Sequence, residues 1–213
     1  MKVGDSLILF NGDGHNYTGV ISELSKKQSC VQILDNNQAT NESPLHIHLY
    51  QPLCRSEKMD WCIQKATELG VSEITPYVSS RVNINIPADR LNKKILHWNS
   101  VIQSACEQSG RSTIPTIHSP HPFHDLILTS GTQDHIKIIA SPAAEKNFNE
   151  LINKNYGHCI CAIGPEGGFD KKELALAESN GFIGTQLGPR VLRLETAVIT
   201  AITICQLHWG DMN

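Results

Sequence analysis

Residues 163–170 read IGPEGGFD, and residues 187–196 read LGPRVLRLET. Each segment follows a short apolar run that is typical of a buried strand and precedes a pattern with helical periodicity. Ligands of open α/β sheets bind beyond the carboxyl ends of the strands, where glycines let the backbone approach a ligand closely. The two segments therefore predict a ligand site at one edge of a sheet, although three glycines in a plain tight turn are an equally open interpretation.

The helix after the first segment has a well-specified start. Asp170 has the position of an N-cap, and Glu173 follows three residues later. Phe169 and Leu174 flank this pair at the spacing of a hydrophobic staple. A capping box with a staple fixes where a helix begins, so the turn before it is predicted to be well ordered.

Strand and helix patterns alternate through most of the chain. Short apolar runs lie at 73–78, 116–118, 136–140, 158–163 and 182–187, and helical patterns lie at 56–69, 89–108, 122–129, 144–154, 170–180 and 195–209. Such alternation is typical of a mostly parallel sheet covered by helices on both faces. The fold class is therefore α/β.

The first fifty residues differ from the rest because they are rich in strand patterns. Turn chemistry at 11–14 separates two short strands, and further strands are predicted at 30–34 and 45–50. We therefore predict a small β-rich domain over residues 1–52 and an α/β domain over residues 53–213. The first residues fall almost directly on a strand, so we expect the small domain to be incomplete at its start.

Composition limits the class of protein. The chain has 213 residues, 40% hydrophobic and 18% charged, with a formal net charge of −3, which excludes a disordered chain and a strongly basic nucleic-acid arm. The longest apolar runs are too short for a signal peptide or a membrane span. Seven scattered cysteines without a CxxC favour a reduced protein, so we expect a cytoplasmic location.

Familiar nucleotide and metal motifs are missing from the sequence. Neither GxxxxGK[ST] nor GxGxxG occurs, so a P-loop or a standard dinucleotide site lacks support. His118, His121 and His124 are separated by prolines, and Cys159 and Cys161 alternate with His158 along a predicted buried strand. We interpret the former as loop residues and the latter as core, and we expect no metal.

The motifs quoted above resemble the RsmE family of 16S rRNA uridine-N3 methyltransferases in the SPOUT superfamily. GPEGGF with the following D-x-x-E, and LGPRVLRLETA at 187–197, carry the resemblance. Residues 58–71, Arg81 and the CEQSGR segment at 106–111 match the family pattern in the same order. The β-rich front, with VGD and FxGxG, is similar to the family's PUA-like RNA-binding domain.

The resemblance implies a SPOUT domain whose C-terminal part forms a trefoil knot, with S-adenosylmethionine as the cofactor bound there. It also implies a homodimer, for which the apolar residues of the last helix are a candidate face, with ordinary core as the other interpretation. The residues implied to bind the cofactor are Ala140, Ser141, Pro142, Ile163, Gly164, Pro165, Glu166, Gly167, Gly168, Leu187, Gly188, Arg190, Leu192, Arg193, Thr196 and Ala197.

The implied reaction needs charge stabilisation and proton removal, because a neutral uracil imide is a poor nucleophile. Arg193 and Arg111 are our candidates for a cation near the uracil oxygens, and Glu166 and Glu195 are our candidates for the base. A helix-start carboxylate favoured by the helix dipole is an equally open interpretation of Glu195.

The implied partner is 16S rRNA, in the assembled small ribosomal subunit. Candidate RNA-binding residues are Lys65, Arg81, Gln108, Arg111 and Arg190, although solvent-exposed surface charge is the alternative for each cation. Family members usually carry further residues before the VGD strand, and a basic residue where this chain has His97. Two other functions therefore stay open at this point: an RNA-binding SPOUT protein without activity, and a methyltransferase acting on another RNA.

Overall fold

A computed structural model describes residues 1–81, 86–131, 135–151 and 154–212. Two compact units make up the chain: Met1–Glu42 with Cys106–Ile114, and Ser43–Ala105 with Pro115–Asn213. This division differs from the boundary predicted after residue 52. It falls ten residues earlier, and a segment from the middle of the chain returns to the first unit.

The first unit contains a three-stranded antiparallel sheet. Strands β1 (Ser6–Leu9), β2 (His15–Leu24) and β3 (Ser29–Gln38) are ordered β1-β2-β3. In the predicted turn between β1 and β2, Gly12 has a φ of 94°, a conformation that glycine adopts without steric cost. The prediction of a β-rich front is confirmed.

The second unit contains a parallel sheet with helices. Its strands are β4 (His46–Pro52), β5 (Glu73–Val78), β6 (Thr116–Ile117), β7 (His121–Pro122), β8 (Ile136–Ala140), β9 (Lys146–Asn147), β10 (His158–Ile163) and β11 (Ile183–Gln186). Its helices are α1 (Ser56–Glu68), α2 (Ala88–Ser109), α3 (Phe123–Thr129), α4 (Lys171–Ser179) and α5 (Leu194–Trp209), and a short 3₁₀ helix spans Phe148–Leu151. The last four residues of α2 belong to the first unit. The strand order is β6-β5-β4-β10-β8-β11-β9, with β7 paired to β5, and every pair is parallel. The predicted α/β class is confirmed, and the trefoil knot stays a prediction.

Strand β4 lies between the boundary predicted after residue 52 and the division of the structure after Glu42. It pairs in parallel with β5 on one side and with β10 on the other, and Ile47 and Leu49 are completely buried. A strand in this position belongs to the centre of the large sheet. Local periodicity predicts the strand itself but contains no information about its pairing partners, so it was grouped with the preceding strands.

Helices cover both faces of the parallel sheet. Helix α5 packs against α1 and β10, while α3 packs against α4 and β5. Side chains of β10 alternate between the two faces: Cys159 approaches Cys205 of α5 with 3.7 Å between the sulfur atoms, whereas Ile160 joins the aromatic cluster under α3 and α4. The two cysteines of β10 are therefore core residues, as interpreted from their alternation.

The apolar face of α5 lies mostly inside the chain. Val198, Ala201, Ile202 and Cys205 are completely buried in a single copy of the chain, whereas Leu207 is 46% exposed. Of the two interpretations of this helix, ordinary core applies to these four residues. None of the described helices is long and apolar enough to cross a membrane.

One predicted helix is replaced by shorter elements. The pattern at 144–154 predicted a helix, but the structure has strand β9 followed by the 3₁₀ helix, and residues 152–153 lie outside the described residues. Pairing of Lys146 and Asn147 with β11 extends the sheet at this point. Tertiary pairing therefore overrides a weak local helical pattern here.

The side-chain amide of Gln206 in α5 links three segments of the second unit. It is 1% exposed; its oxygen accepts a hydrogen bond from Ser43 Oγ at 2.7 Å, and its nitrogen donates one to the Leu69 carbonyl at 2.8 Å. Because Leu69 follows α1, this amide joins the two helices that pack on the same face of the sheet.

Gln206→Leu is expected to lower the free energy of unfolding by about 1–3 kcal/mol, because it leaves buried polar groups without their partner. Urea denaturation followed by circular dichroism measures this loss. Gln103→Leu, at an exposed position of α2, is the matched control and should change stability by less than about 0.5 kcal/mol. Equal effects of the two substitutions would contradict the role of the amide.

Candidate functional site

Three loops converge at the carboxyl ends of adjacent strands. Residues 140–142 begin at the last residue of β8, residues 164–168 form the glycine loop after β10, and residues 187–193 form the arginine loop after β11. Strand β8 pairs in parallel with both β10 and β11, so the three strand ends lie side by side. The sequence predicted a ligand site at such an edge, and the structure places all three segments there.

These loops enclose a cavity of about 500 Å³, which we call the loop cavity. Its volume lies in the range of small-molecule sites, about 300–1,000 Å³. Every residue proposed from the sequence to bind the cofactor lines it, except Ile163 and Thr196. The sequence analysis missed four lining residues, which are Lys58, Phe169, Val191 and Leu194.

The glycine loop needs glycine at two positions for different reasons. Gly168 has a φ of +70°, which side chains other than glycine rarely adopt. At Gly164 a β-carbon would lie 3.2 Å from Cε2 of Phe169, closer than ordinary van der Waals contact. The motif therefore encodes both a turn and a close approach to an aromatic ring.

Tyr77 holds the beginning of the glycine loop. Its hydroxyl donates a short hydrogen bond to the carbonyl of Ile163, and complete burial raises its pKa well above that of an ordinary phenol, so it stays a donor. Phe123 packs between Tyr77 and Phe169, with ring centroids 4.8 and 5.0 Å away. Ile163 is therefore an anchoring position of the loop; its side chain is buried and does not line the cavity.

The end of the glycine loop is held by the predicted capping box. Asp170 Oδ1 accepts a hydrogen bond from the Glu173 amide at 2.8 Å, and Glu173 Oε2 accepts one from the Asp170 amide at 2.9 Å. Ser80 adds bonds to both carboxylates, each at 2.9 Å. The bond from the Glu173 amide lowers the pKa of Asp170, which keeps the cap charged.

Lys58 of α1 brings a cation into the loop cavity. Its ammonium group donates a short hydrogen bond to Glu166 in the glycine loop and lies 3.7 Å from Oε2 of Glu195. The bond to Lys58 lowers the pKa of Glu166 and raises that of Lys58. Glu166 is thus a carboxylate at the cavity, whereas Glu195 lies beside Lys58 in the first turn of α5 and does not line the cavity.

Two arginines lie on the arginine loop. Arg190 and Arg193 are exposed, and both line the loop cavity. Arg193 is also the N-cap residue of α5, with extended backbone angles of −66° and 155°. The cavity therefore has two cations at its rim and a third, Lys58, that is paired with Glu166.

Three of the other predicted site residues are paired with groups elsewhere in the chain. Arg111 belongs to the first unit, where it is 5% exposed and its guanidinium donates to Glu42 Oε2 at 2.7 Å. Lys65 pairs with Glu68 at 2.7 Å, and Arg81 Nη1 donates to the Gly167 carbonyl at 2.6 Å. Gln108 is exposed near the end of α2. Their predicted roles toward RNA stay predictions, as does the catalytic role of Arg111.

Comparison with known proteins agrees with these features. Residues 41–206 match a family model described as an RNA methyltransferase domain, and residues 1–34 match one described as an RNA methyltransferase PUA domain. Ribosomal RNA small subunit methyltransferase E of Buchnera aphidicola subsp. Schizaphis graminum is 40% identical, and the alignment covers 100% of this chain and 86% of that protein. The Bacillus subtilis protein of the same name is 28% identical over 95% of this chain and 82% of its own length.

Two solved structures with a bound cofactor are similar to this chain. Ribosomal RNA small subunit methyltransferase E from Neisseria gonorrhoeae, bound to S-adenosyl methionine, has a TM-score of 0.93 at 33% identity and covers 100% of this chain and 87% of that chain. Lpg2936 from Legionella pneumophila, in complex with the same cofactor, has a TM-score of 0.92 at 39% identity and covers 99% and 86%. The class that the fold and site define is thus an RNA methyltransferase. Within it, the chain belongs to the ribosomal RNA small subunit methyltransferase E family.

Lys58→Met is expected to raise the pKa of Glu166 toward the ordinary value for a glutamate, about 4.3, because the cation that favours the carboxylate is removed. A pH titration of the Glu166 carboxyl carbon by NMR measures the shift. Lys172→Met, at an exposed position of α4, is the control and should leave the midpoint unchanged. An unchanged midpoint in Lys58→Met would show that the two groups are not paired.

Proposed function

We propose that this chain transfers a methyl group from S-adenosylmethionine to N3 of a specific uridine in 16S rRNA. The observation that carries the proposal is the loop cavity at the carboxyl ends of β8, β10 and β11. Relatives at 33% and 39% identity with the same fold were solved with this cofactor bound. In the overall reaction, uridine loses its N3 proton and gains a methyl group, while S-adenosylmethionine becomes S-adenosylhomocysteine.

The residues of the loop cavity fit such a cofactor. Gly164, Gly167 and Gly168 carry no side chains, so the backbone N–H and C=O groups at these positions of the glycine loop are accessible to a polar ligand at close range. Leu187 and Leu192 of the arginine loop and Ala197 of α5 add apolar surface to the cavity. The bound cofactor would supply a methyl group on a positively charged sulfur, and the chain would bind and orient it while excluding water.

Arg193 is our leading candidate for a catalytic residue. Removal of the N3 proton places negative charge on the uracil carbonyl oxygens, and a fixed guanidinium can stabilise that charge. Arg193 lines the cavity and is the N-cap residue of α5, so its backbone is held by the helix. Arg111, which is paired with Glu42 in the first unit, stays the second candidate cation.

The base has two candidates with different surroundings. Glu166 lines the cavity, and its ion pair with Lys58 lowers its pKa. The lower pKa keeps Glu166 deprotonated and also makes it a weaker proton acceptor. Oε2 of Glu195 is buried and has no hydrogen-bond partner among the described residues. We therefore place more of the rate enhancement on charge stabilisation by Arg193 than on either carboxylate.

RNA recognition and assembly belong to the same proposal. Arg190 at the cavity rim is a candidate for binding phosphate, together with Lys65, Arg81, Gln108 and Arg111. A homodimer is supported by Val191, an apolar side chain at the cavity that is 82% exposed and that a second copy would remove from water. The proposed substrate is the RNA of the small ribosomal subunit, and the proposed location is the cytoplasm.

The proposal predicts methyl transfer to small-subunit particles that lack the modification. Arg193→Ala is expected to lower kcat by about 100-fold or more, because it removes a charge-stabilising donor. Radiolabelled S-adenosylmethionine measures the rate, and mass spectrometry of the digested RNA identifies N3-methyluridine. Lys172→Ala, an exposed lysine of α4, should retain the wild-type rate. Binding of RNA without methyl transfer would favour an RNA-binding protein without activity. Methylation of a different RNA would favour a methyltransferase with another substrate.

A further inference from the structure

Histidines and one glutamate gather at the edge of the parallel sheet that lies opposite the loop cavity. His46 begins β4, Glu73 begins β5 and His158 begins β10, while His48 is two residues into β4 and His118 directly follows β6. We call these five residues the histidine edge. They come from four strands that are neighbours in the sheet, and the proposed methyl transfer uses none of them.

Glu73 is the centre of the histidine edge. Its Oε2 lies 2.7 Å from Nε2 of His118 and 3.9 Å from Nδ1 of His48. Its Oε1 lies 3.2 Å from Nε2 of His46. Three imidazole nitrogens thus point at one carboxylate from neighbouring strands.

His48 is oriented by a second contact. Its Nε2 lies 2.7 Å from Oγ1 of Thr75, and Thr75 is buried in β5, which leaves Nδ1 as the nitrogen that faces Glu73. Metal-binding histidines commonly use one ring nitrogen for the metal and the other for a hydrogen bond that fixes the ring. The Thr75 hydroxyl has the position of such an orienting partner.

The spacing of the ligand atoms fits a small divalent ion. One ligand atom each from His48, Glu73 and His118 lie within 4.8 Å of one another. A tetrahedral zinc ion with bonds of about 2.0–2.1 Å places its ligand atoms about 3.3 Å apart. This spacing is between the 2.7 and 3.9 Å that separate Glu73 Oε2 from the ring nitrogens of His118 and His48. Side-chain rotations that bring all three separations, each now within 4.8 Å, to about 3.3 Å would complete the geometry.

Imidazole and carboxylate donors select for zinc over calcium or magnesium, which prefer oxygen ligands.

An entry path is also present, because a cavity of about 540 Å³ lined by His46, His48, Glu73, His135 and His158 opens at this edge. His48 and Glu73 are 20% and 31% exposed, so the ligands are partly shielded from water and still reachable.

We propose that His48, Glu73 and His118 bind a zinc ion, with His46 as the candidate for the fourth position. The ion would join β4, β5 and the residue after β6, so binding would stabilise the second unit from the edge opposite the cofactor. This proposal departs from the expectation of no metal in the sequence analysis. The ligands form no short motif, because they are 25 and 45 residues apart along the chain.

Calorimetric titration of the untagged, chelator-treated chain with zinc chloride tests the proposal. We expect saturation at one ion per chain and a thermal midpoint that rises with zinc concentration. His48→Ala, His118→Ala and Glu73→Gln should each weaken zinc binding by at least tenfold. His124→Ala, whose side chain is 64% exposed and lies outside the cluster, is the matched control and should bind zinc as the wild type does.

Cobalt substitution gives a readout that does not depend on stability. Cobalt(II) bound at the site should give the intense visible absorption of a tetrahedral complex, and one equivalent of zinc should remove it. Thermal unfolding without metal confirms that each variant is folded, and Glu73→Gln keeps the side-chain size if an alanine variant fails to fold. Absence of stoichiometric binding by the folded wild-type chain, or binding that survives in folded His48→Ala and Glu73→Gln, would overturn the proposal.

Discussion

The hydrogen bond from Tyr77 to the Ile163 carbonyl fixes the point at which the parallel sheet gives way to the glycine loop. The capping box of α4 fixes the other end of the same loop. A five-residue loop held at both ends keeps its backbone groups in place before a ligand arrives, and such preorganisation reduces the entropy lost on binding. The loop cavity depends on this constraint, because the neighbouring loops close around a glycine loop of fixed position.

Local sequence signals predicted a large part of the fold and of the cavity. The capping box at Asp170, the strand–helix alternation and the glycine and arginine loops are all encoded within short windows, and each was found where the sequence placed it. The predicted helix at 144–154 was wrong, because Lys146 and Asn147 pair with β11. The division of the structure also differs from the boundary predicted after residue 52, because β4 pairs with β5 and β10. Lys58 was missed as a cavity residue since it is 108 residues away from its partner Glu166. The pairing of Arg111 with Glu42 could not be predicted from a short window either, because the two residues are 69 positions apart.

The carboxyl ends and the amino ends of the parallel strands carry different functional groups. At the carboxyl ends the chain leaves the sheet into loops rich in glycine and arginine, where backbone groups are accessible. At the amino ends the side chains of β4, β5 and β10 converge instead, and these are histidines and a glutamate. One sheet therefore supports a proposed cofactor site at one edge and a proposed zinc site at the other, and the two can be tested independently.

The central claim is that the loop cavity holds the cofactor, and calorimetric titration with S-adenosylmethionine tests it most directly. Wild-type chain is expected to bind one molecule per chain, and S-adenosylhomocysteine should compete for the same site. Ala197→Phe, which places a ring in the cavity lined by Ala197, should remove binding while circular dichroism shows a folded chain. No binding by the folded wild-type chain, or equal affinity in the variant, would contradict the claim.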